Sequence, residues 1–182
     1  MPGYVAANEH LAETRHALGK DAEAIAIYQG VVKASDDPEF TYALALLYGG
    51  VGRHGEAHDL DTKARARYEA LVAKYPEAMF WHAAEFFLKT GDPKRAASLL
   101  QKNVALRPNG QSYAALARAE LASGDIAKAR SAVDTALATP IRSASLFWTA
   151  SEVYRRSGLV PQADEFRSRA LAMNPHVAED AP

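Results

Sequence analysis

Three side chains able to ligate a metal recur at helical spacing: His54, His58 and Asp61. On a helix that begins early enough, residues three and four apart are neighbours, and two imidazoles with a carboxylate form a zinc-type donor set. The set stays incomplete, because the chain has no cysteine, Glu56 lies off that face and no His-Glu-x-x-His signature accompanies it. His82 followed by Glu85 is one further adjacent pair, and one pair is not a site. Exposed histidines at a helix start are the ordinary reading, so neither a metal nor a cofactor is assigned. Covalent and phosphate chemistry has as little support: no glycine-flanked nucleophile appears, and no glycine-rich loop carries the required lysine. Carboxylates such as Glu13 and Glu85 stand far apart in the chain, with nothing to mark perturbed acidity. The reading is therefore noncatalytic. What remains is recognition chemistry: two tryptophans, Trp81 and Trp148, and the arginines Arg118, Arg155 and Arg156, whose forked guanidinium groups suit a carboxylate or phosphate.

The elements that must position these side chains follow from punctuation. Turn glycines Gly19, Gly52, Gly91, Gly124 and Gly158 are separated by 33, 39, 33 and 34 residues. Each interrupts one apolar helical pattern and opens another, and a period of this size is the signature of stacked helical hairpins. Helices are expected over about 5–17 and 22–34, with Leu11, Ala12, Ala24, Ile27, Tyr28 and Val31 facing inward. Asp37-Pro38 and Asp92-Pro93 read as an N-cap followed by proline at the first helical position. The long interval is local to the second hairpin: Gly52 to Pro76 spans 24 residues, whereas Gly91 to Pro108 spans 17. Seven extra residues are about two helical turns, so 55–75 reads as one long helix with Ala57, Leu60, Ala64, Tyr68 and Leu71 on one stripe. Residues 176–182 read as frayed.

Composition sets the outer limits. Of 182 residues, 48% are hydrophobic and 24% charged, which suits a folded chain of one domain with five units over about 5–37, 38–76, 77–109, 110–143 and 144–177. A formal net charge of -1 and the lack of a basic stripe argue against a nucleic-acid partner. No stretch approaches the ~20 apolar residues that cross a bilayer, so no membrane insertion is expected. The start, Met1-Pro2-Gly3-Tyr4, lacks the basic region and apolar run of a signal peptide. A cytoplasmic location is expected, with an exported or peripheral domain as the alternative if the chain is part of something longer.

The repeated residues resemble the tetratricopeptide repeat. Taking the third unit from Glu77, Phe80, Ala83-Ala84, Phe87, Gly91, Ala96 and Pro108 fall on that family's packing, turn and closing positions. In the fifth unit Phe147, Ala150, Tyr154, Gly158, Ala163, Ala170 and Pro175 do the same. The first unit retains Leu11, Ala12, Gly19, Ala24, Tyr28 and Val31, and the fourth Tyr113, Leu116, Ala117, Gly124, Ala129 and Ala136. The resemblance implies an all-α, right-handed superhelical solenoid of about five antiparallel helix-turn-helix repeats, with the first helix of each lining a concave groove. Laid onto that groove, Glu9, Tyr42, Trp81, Ala114 and Trp148 form one row, and Glu13, Leu46, Glu85, Arg118 and Glu152 the next, with Arg155 and Arg156 from the last unit. The implied function is an adaptor or scaffold that holds a protein or peptide segment bearing apolar anchors and some basic character. The alternatives are a self-assembling structural protein, associating through terminal repeats, and a regulatory or structural segment of a larger enzyme.

Overall fold

A computed structural model describes residues 4–178. The start Met1–Gly3 and residues 179–182 lie outside the described residues, and with them most of the start read as lacking a signal peptide and the last four of the positions read as frayed. Ten α-helices occupy the described chain: α1 (Val5–Ala17), α2 (Asp21–Ala34), α3 (Pro38–Gly50), α4 (His54–Lys74), α5 (Pro76–Lys89), α6 (Pro93–Leu106), α7 (Gly110–Ser123), α8 (Ile126–Ala138), α9 (Ala144–Arg156) and α10 (Val160–Met173). They pair successively into five antiparallel hairpins. The contacts group the chain into two compact units, Met1–Lys74 with α1–α4 and Tyr75–Pro182 with α5–α10.

Local chemistry accounts for where the helices start and stop. All five turn glycines have positive φ, from 71° to 87°. At the end of α7, Gly124 donates to the Leu121 carbonyl at 3.1 Å and Asp125 to the Glu120 carbonyl at 3.0 Å, a Schellman-type closure that needs the left-handed region at Gly124. Side-chain caps then restart the chain. Asp37 accepts from the Glu39 amide at 2.9 Å and Asp92 from the Arg95 amide at 3.2 Å, each with proline next, as the sequence predicts. Asn109, Asp125 and Ser143 cap α7, α8 and α9 in the same way.

In the first unit the core gathers Ala12, Ala24, Ile25, Tyr28, Val31, Leu44, Leu47 and Tyr48, with Ala57 and Leu60 packed against it. Leu11, expected to face inward, is 41% exposed, because α1 packs chiefly on α2 and its flank has no second helix to cover it. Ile25 holds a core place that periodicity did not assign. The enlarged helix is continuous: α4 runs through 21 residues without a break at His58–Asp61 and buries Ala64, Tyr68 and Val72. Its length brings the Arg67 guanidinium onto the Asp36 carboxylate before α3, with a further 3.4 Å bond from Nε to the Asp36 carbonyl.

The second unit is packed around alanine and a few large side chains. Ala117, Ala129, Ala132, Val133, Ala136, Leu146, Ala150 and Val153 form one cluster across α7–α9. Small residues let these helices approach closely, while Phe87, Leu99 and Leu100 fill the interior nearer α5 and α6. A polar link joins successive hairpins: buried Asn103 donates to Ser112 Oγ at 3.0 Å and accepts from Arg107 at 3.0 Å. At the far end Phe147 stacks on Phe166, with centroids 6.1 Å apart. The expectation of fraying from residue 176 fails at Val177. It is 4% exposed and packs with Phe147 and Ala170, because the turn after α10 folds back onto the apolar face that α9 and α10 leave open.

Candidate functional site

Side chains from the first helices of the hairpins supply the candidate site. In the first unit these are Glu9 and Glu13 on α1, and Tyr42 and Leu46 on α3. Glu9 and Tyr42 are half-buried, Glu13 is exposed and Leu46 is 58% exposed, so this face carries an apolar side chain open to solvent. Burial raises the Glu9 carboxyl above its ordinary range, and the neighbouring Glu13 charge adds to the rise. Burial, followed by the charge on Asp61, raises the Tyr42 phenol. His10 Nδ1 stands 3.2 Å from Glu13 and 3.6 Å from Glu9, and among the described residues this is the group whose ligand atoms converge, within 4.8 Å. It is an exposed imidazole shared by two carboxylates. His54, His58 and Asp61 do not bring their ligand atoms together.

In the second unit the residues of both proposed rows line two neighbouring clefts. The first, of about 370 Å³, is walled by Trp81 and Glu85 of α5, Ala114 and Arg118 of α7, and Ser145 and Thr149 of α9. The second, of about 430 Å³, is walled by Arg118, Leu121, Trp148, Glu152, Arg156 and Val177, among others. Arg118, Ser145 and Thr149 line both, so the two clefts adjoin across a shared wall on the groove face between Trp81 and Trp148. Their positions follow from helical geometry: Trp81 and Glu85 are four apart on α5, as are Ala114 and Arg118 on α7 and Trp148 and Glu152 on α9.

The charges in this groove are arranged differently from a list of residue types. The Arg118 guanidinium bonds Glu85 across 33 residues of sequence, and the two side chains are 24% and 27% exposed. Arg118 Nε is buried and has no hydrogen-bond partner. Arg156 lines the cleft, whereas Arg155 turns towards α10 and bonds Asp164 at 2.7 Å. The Arg167 guanidinium lies over the Trp148 ring, 4.8 Å from its centroid. Helical spacing around Trp148 points to Ser145 as a groove residue that the two rows left out. Asn174, Val177 and Ala178, which wall the far side of the cleft, carry no local signal, because a fold-back after the last helix depends on the surface it meets.

Stacked helix pairs with a groove on their first helices define a helical-repeat protein. Residues 62–111 match the family model described as tetratricopeptide repeat. No curated protein matches the chain in sequence. Among solved structures, a thermophilic tetratricopeptide-repeat protein of Thermus thermophilus is similar with a TM-score of 0.66 at 20% identity, over 96% of this chain and 94% of that one. MamA from Desulfovibrio magneticus RS-1, from residue 41 to its end, is similar with a TM-score of 0.58 at 16% identity, over 96% and 98%. YrrB, described as a tetratricopeptide-repeat protein with an unusual peptide-binding site, is similar with a TM-score of 0.50 at 19% identity, over 96% and 89%. At such identities the likeness is one of fold. Among the described residues no helix is long and apolar enough to cross a membrane.

Proposed function

We propose that this chain is a noncatalytic adaptor that holds a partner's polypeptide segment in the groove of its second unit. The observation that carries the reading is the pair of adjoining clefts that share Arg118, Ser145 and Thr149, each with a half-buried tryptophan on its wall. Half-buried tryptophans on a rigid helical scaffold offer large contact area at little cost in lost side-chain freedom, the usual makeup of binding anchors. The peptide-binding site named for YrrB is in keeping with this use of the fold. On the first unit, Glu9, Glu13, Tyr42 and exposed Leu46 are the corresponding face, and we assign them a secondary role in partner contact.

The test is affinity capture with the full-length protein, followed by competition with Trp81→Ala and Trp148→Ala. An anchor's truncation costs on the order of 2 kcal/mol, so each variant should bind the captured partner about thirtyfold more weakly. Folded variants that bind unchanged would end the groove reading. Self-association is the second reading, favoured by exposed Val160 and Met173 on α10. Mass measured across a concentration series separates the two, since a monomer at every concentration rejects assembly as the main role.

A further inference from the structure

The geometry points to a partner segment that is acidic as well as apolar: it places a large apolar side chain in the cleft beside Trp148 and side-chain carboxylates against Arg156 and Arg118. This rests on the groove reading above and reverses the partner charge expected from the row of glutamates. Three observations carry it.

Within the second unit the acidic row loses much of its charge once folded. Glu85 is bonded by Arg118, so its charge is already met within the groove. Among the described residues, Glu152 is the other carboxylate lining the larger cleft, with Arg156 on its wall and Arg167 on the rim above the Trp148 ring. Arg118, Arg156 and Arg167 thus stand against Glu85 and Glu152. The acids of α10 do not redress this balance: Asp164 is held by Arg155, and Glu165 stands 3.9 Å from Arg169. A basic segment would therefore meet more cations than anions, whereas an acidic one meets complementary charge.

Donor capacity is also left over. Arg118 bonds Glu85 through Nη2, while its buried Nε has no acceptor. A guanidinium presents five N–H groups in a fixed fork; the buried Nε is out of a ligand's reach, and it is the Nη groups beyond the single contact to Glu85 that can take a second carboxylate. Arg156 has no ion pair among the described residues and lines the same cleft.

The third observation is the socket beside these arginines. Leu121, Ala122, Ala144, Trp148, Val177 and Ala178 give the cleft an apolar wall around a volume of about 430 Å³. That size lies within the range of pockets that seat compact ligands, and it admits one large aromatic or branched side chain. The buried Val177 fixes the far wall, so the socket is shaped before a ligand arrives.

The test is a random peptide library displayed on phage and panned against the full chain. Enriched peptides are then synthesised and titrated by calorimetry against the wild type, Arg156→Glu, Arg156→Lys, Trp81→Ala and Trp148→Ala, each checked for helix content. The expected result is enrichment of Asp or Glu next to Trp, Phe, Leu or Ile. Replacing those acids by lysine, or Arg156 by glutamate, should weaken binding about tenfold or more, and Arg156→Lys less. Because Arg156 is exposed, its charge reversal leaves the fold intact. Enrichment of neutral or basic peptides, or an unchanged affinity in Arg156→Glu, overturns the acidic partner. The groove reading survives that result if Trp148→Ala still abolishes binding. Peptides indifferent to both tryptophans, or no enrichment at all, overturn the groove reading and this inference together.

Discussion

Replacing Gly110 by alanine should destabilise the second unit, although the same exchange inside an exposed helix usually stabilises. Gly110 is the first residue of α7, is buried, and is not among the glycines with positive φ, so nothing in the backbone demands glycine there. Space does. A Cβ would lie 2.1 Å from Thr139 Oγ1, 2.7 Å from Ile141 Cγ2 and 3.1 Å from Thr139 Cβ. Thr139 cannot turn away without giving up its 2.7 Å bond to the Ala136 carbonyl, about 1 kcal/mol. Displacing Ile141 as well brings the strain into the range of about 1–3 kcal/mol seen for overpacking. Against this, alanine gains about 0.4–1 kcal/mol by restricting the unfolded chain. The net loss is about 1 kcal/mol, or roughly 2–4 °C in melting temperature for a chain of this length. Both tryptophans lie in the second unit, so urea unfolding followed by tryptophan emission reads this unit. Adding Thr139→Ala should recover part of the loss, since it removes the nearest clashing atom. Gly124→Ala should cost about 1–2 kcal/mol by a different route, left-handed strain with open space around the new methyl, which Thr139→Ala will not relieve. A Gly110→Ala variant as stable as the wild type, or more so, would refute the packing argument.

Three further outcomes are expected. A double-mutant cycle on Glu85→Ala and Arg118→Ala should give a coupling of about 1 kcal/mol, because the pair is three-quarters buried but open to solvent on the groove side; a coupling near zero would make it an incidental contact. Val177→Ala should destabilise the second unit by about 1–2 kcal/mol and expose Trp148 to quenching by iodide, whereas an unchanged midpoint would show that the fold-back contributes nothing. Glu9→Gln should stabilise the first unit at neutral pH and lose that advantage in acid, by urea unfolding followed by circular dichroism. The sign follows from the raised carboxyl: folding disfavours its charged form, a penalty present above its folded pKa and absent once pH falls below the unfolded one. Equal gains at neutral and acid pH would contradict it.

Much of the fold is legible from short windows. Asp92-Pro93 opens a helix because a carboxylate accepts the orphan N–H groups and proline loses no donor at that position. Gly124 closes one because only glycine enters the left-handed region without cost. The seven-residue excess before Pro76 extends α4, since two added turns keep Ala64 and Tyr68 on the buried stripe. Leu11 escaped the same logic: an apolar residue on the right stripe stays exposed where no helix covers it. Gly110 carries no signal in its own window; its need for glycine arises only where Thr139 and Ile141 close over it.

The residues of the groove were likewise legible, and their chemistry was not. The repeat resemblance read from sequence set Trp81 and Trp148 in one row and Arg118 in the adjacent row, because a backbone period carries such positions to the same face of each hairpin. Tertiary structure alone decided that Arg118 neutralises Glu85, that Arg155 leaves the groove for Asp164 while Arg156 stays, and that Val177 closes the far wall. Periodicity fixes the direction of a side chain from its own helix. Which charge meets which depends on side-chain reach and on the spacing between helices, and those distances exist only after the helices have packed.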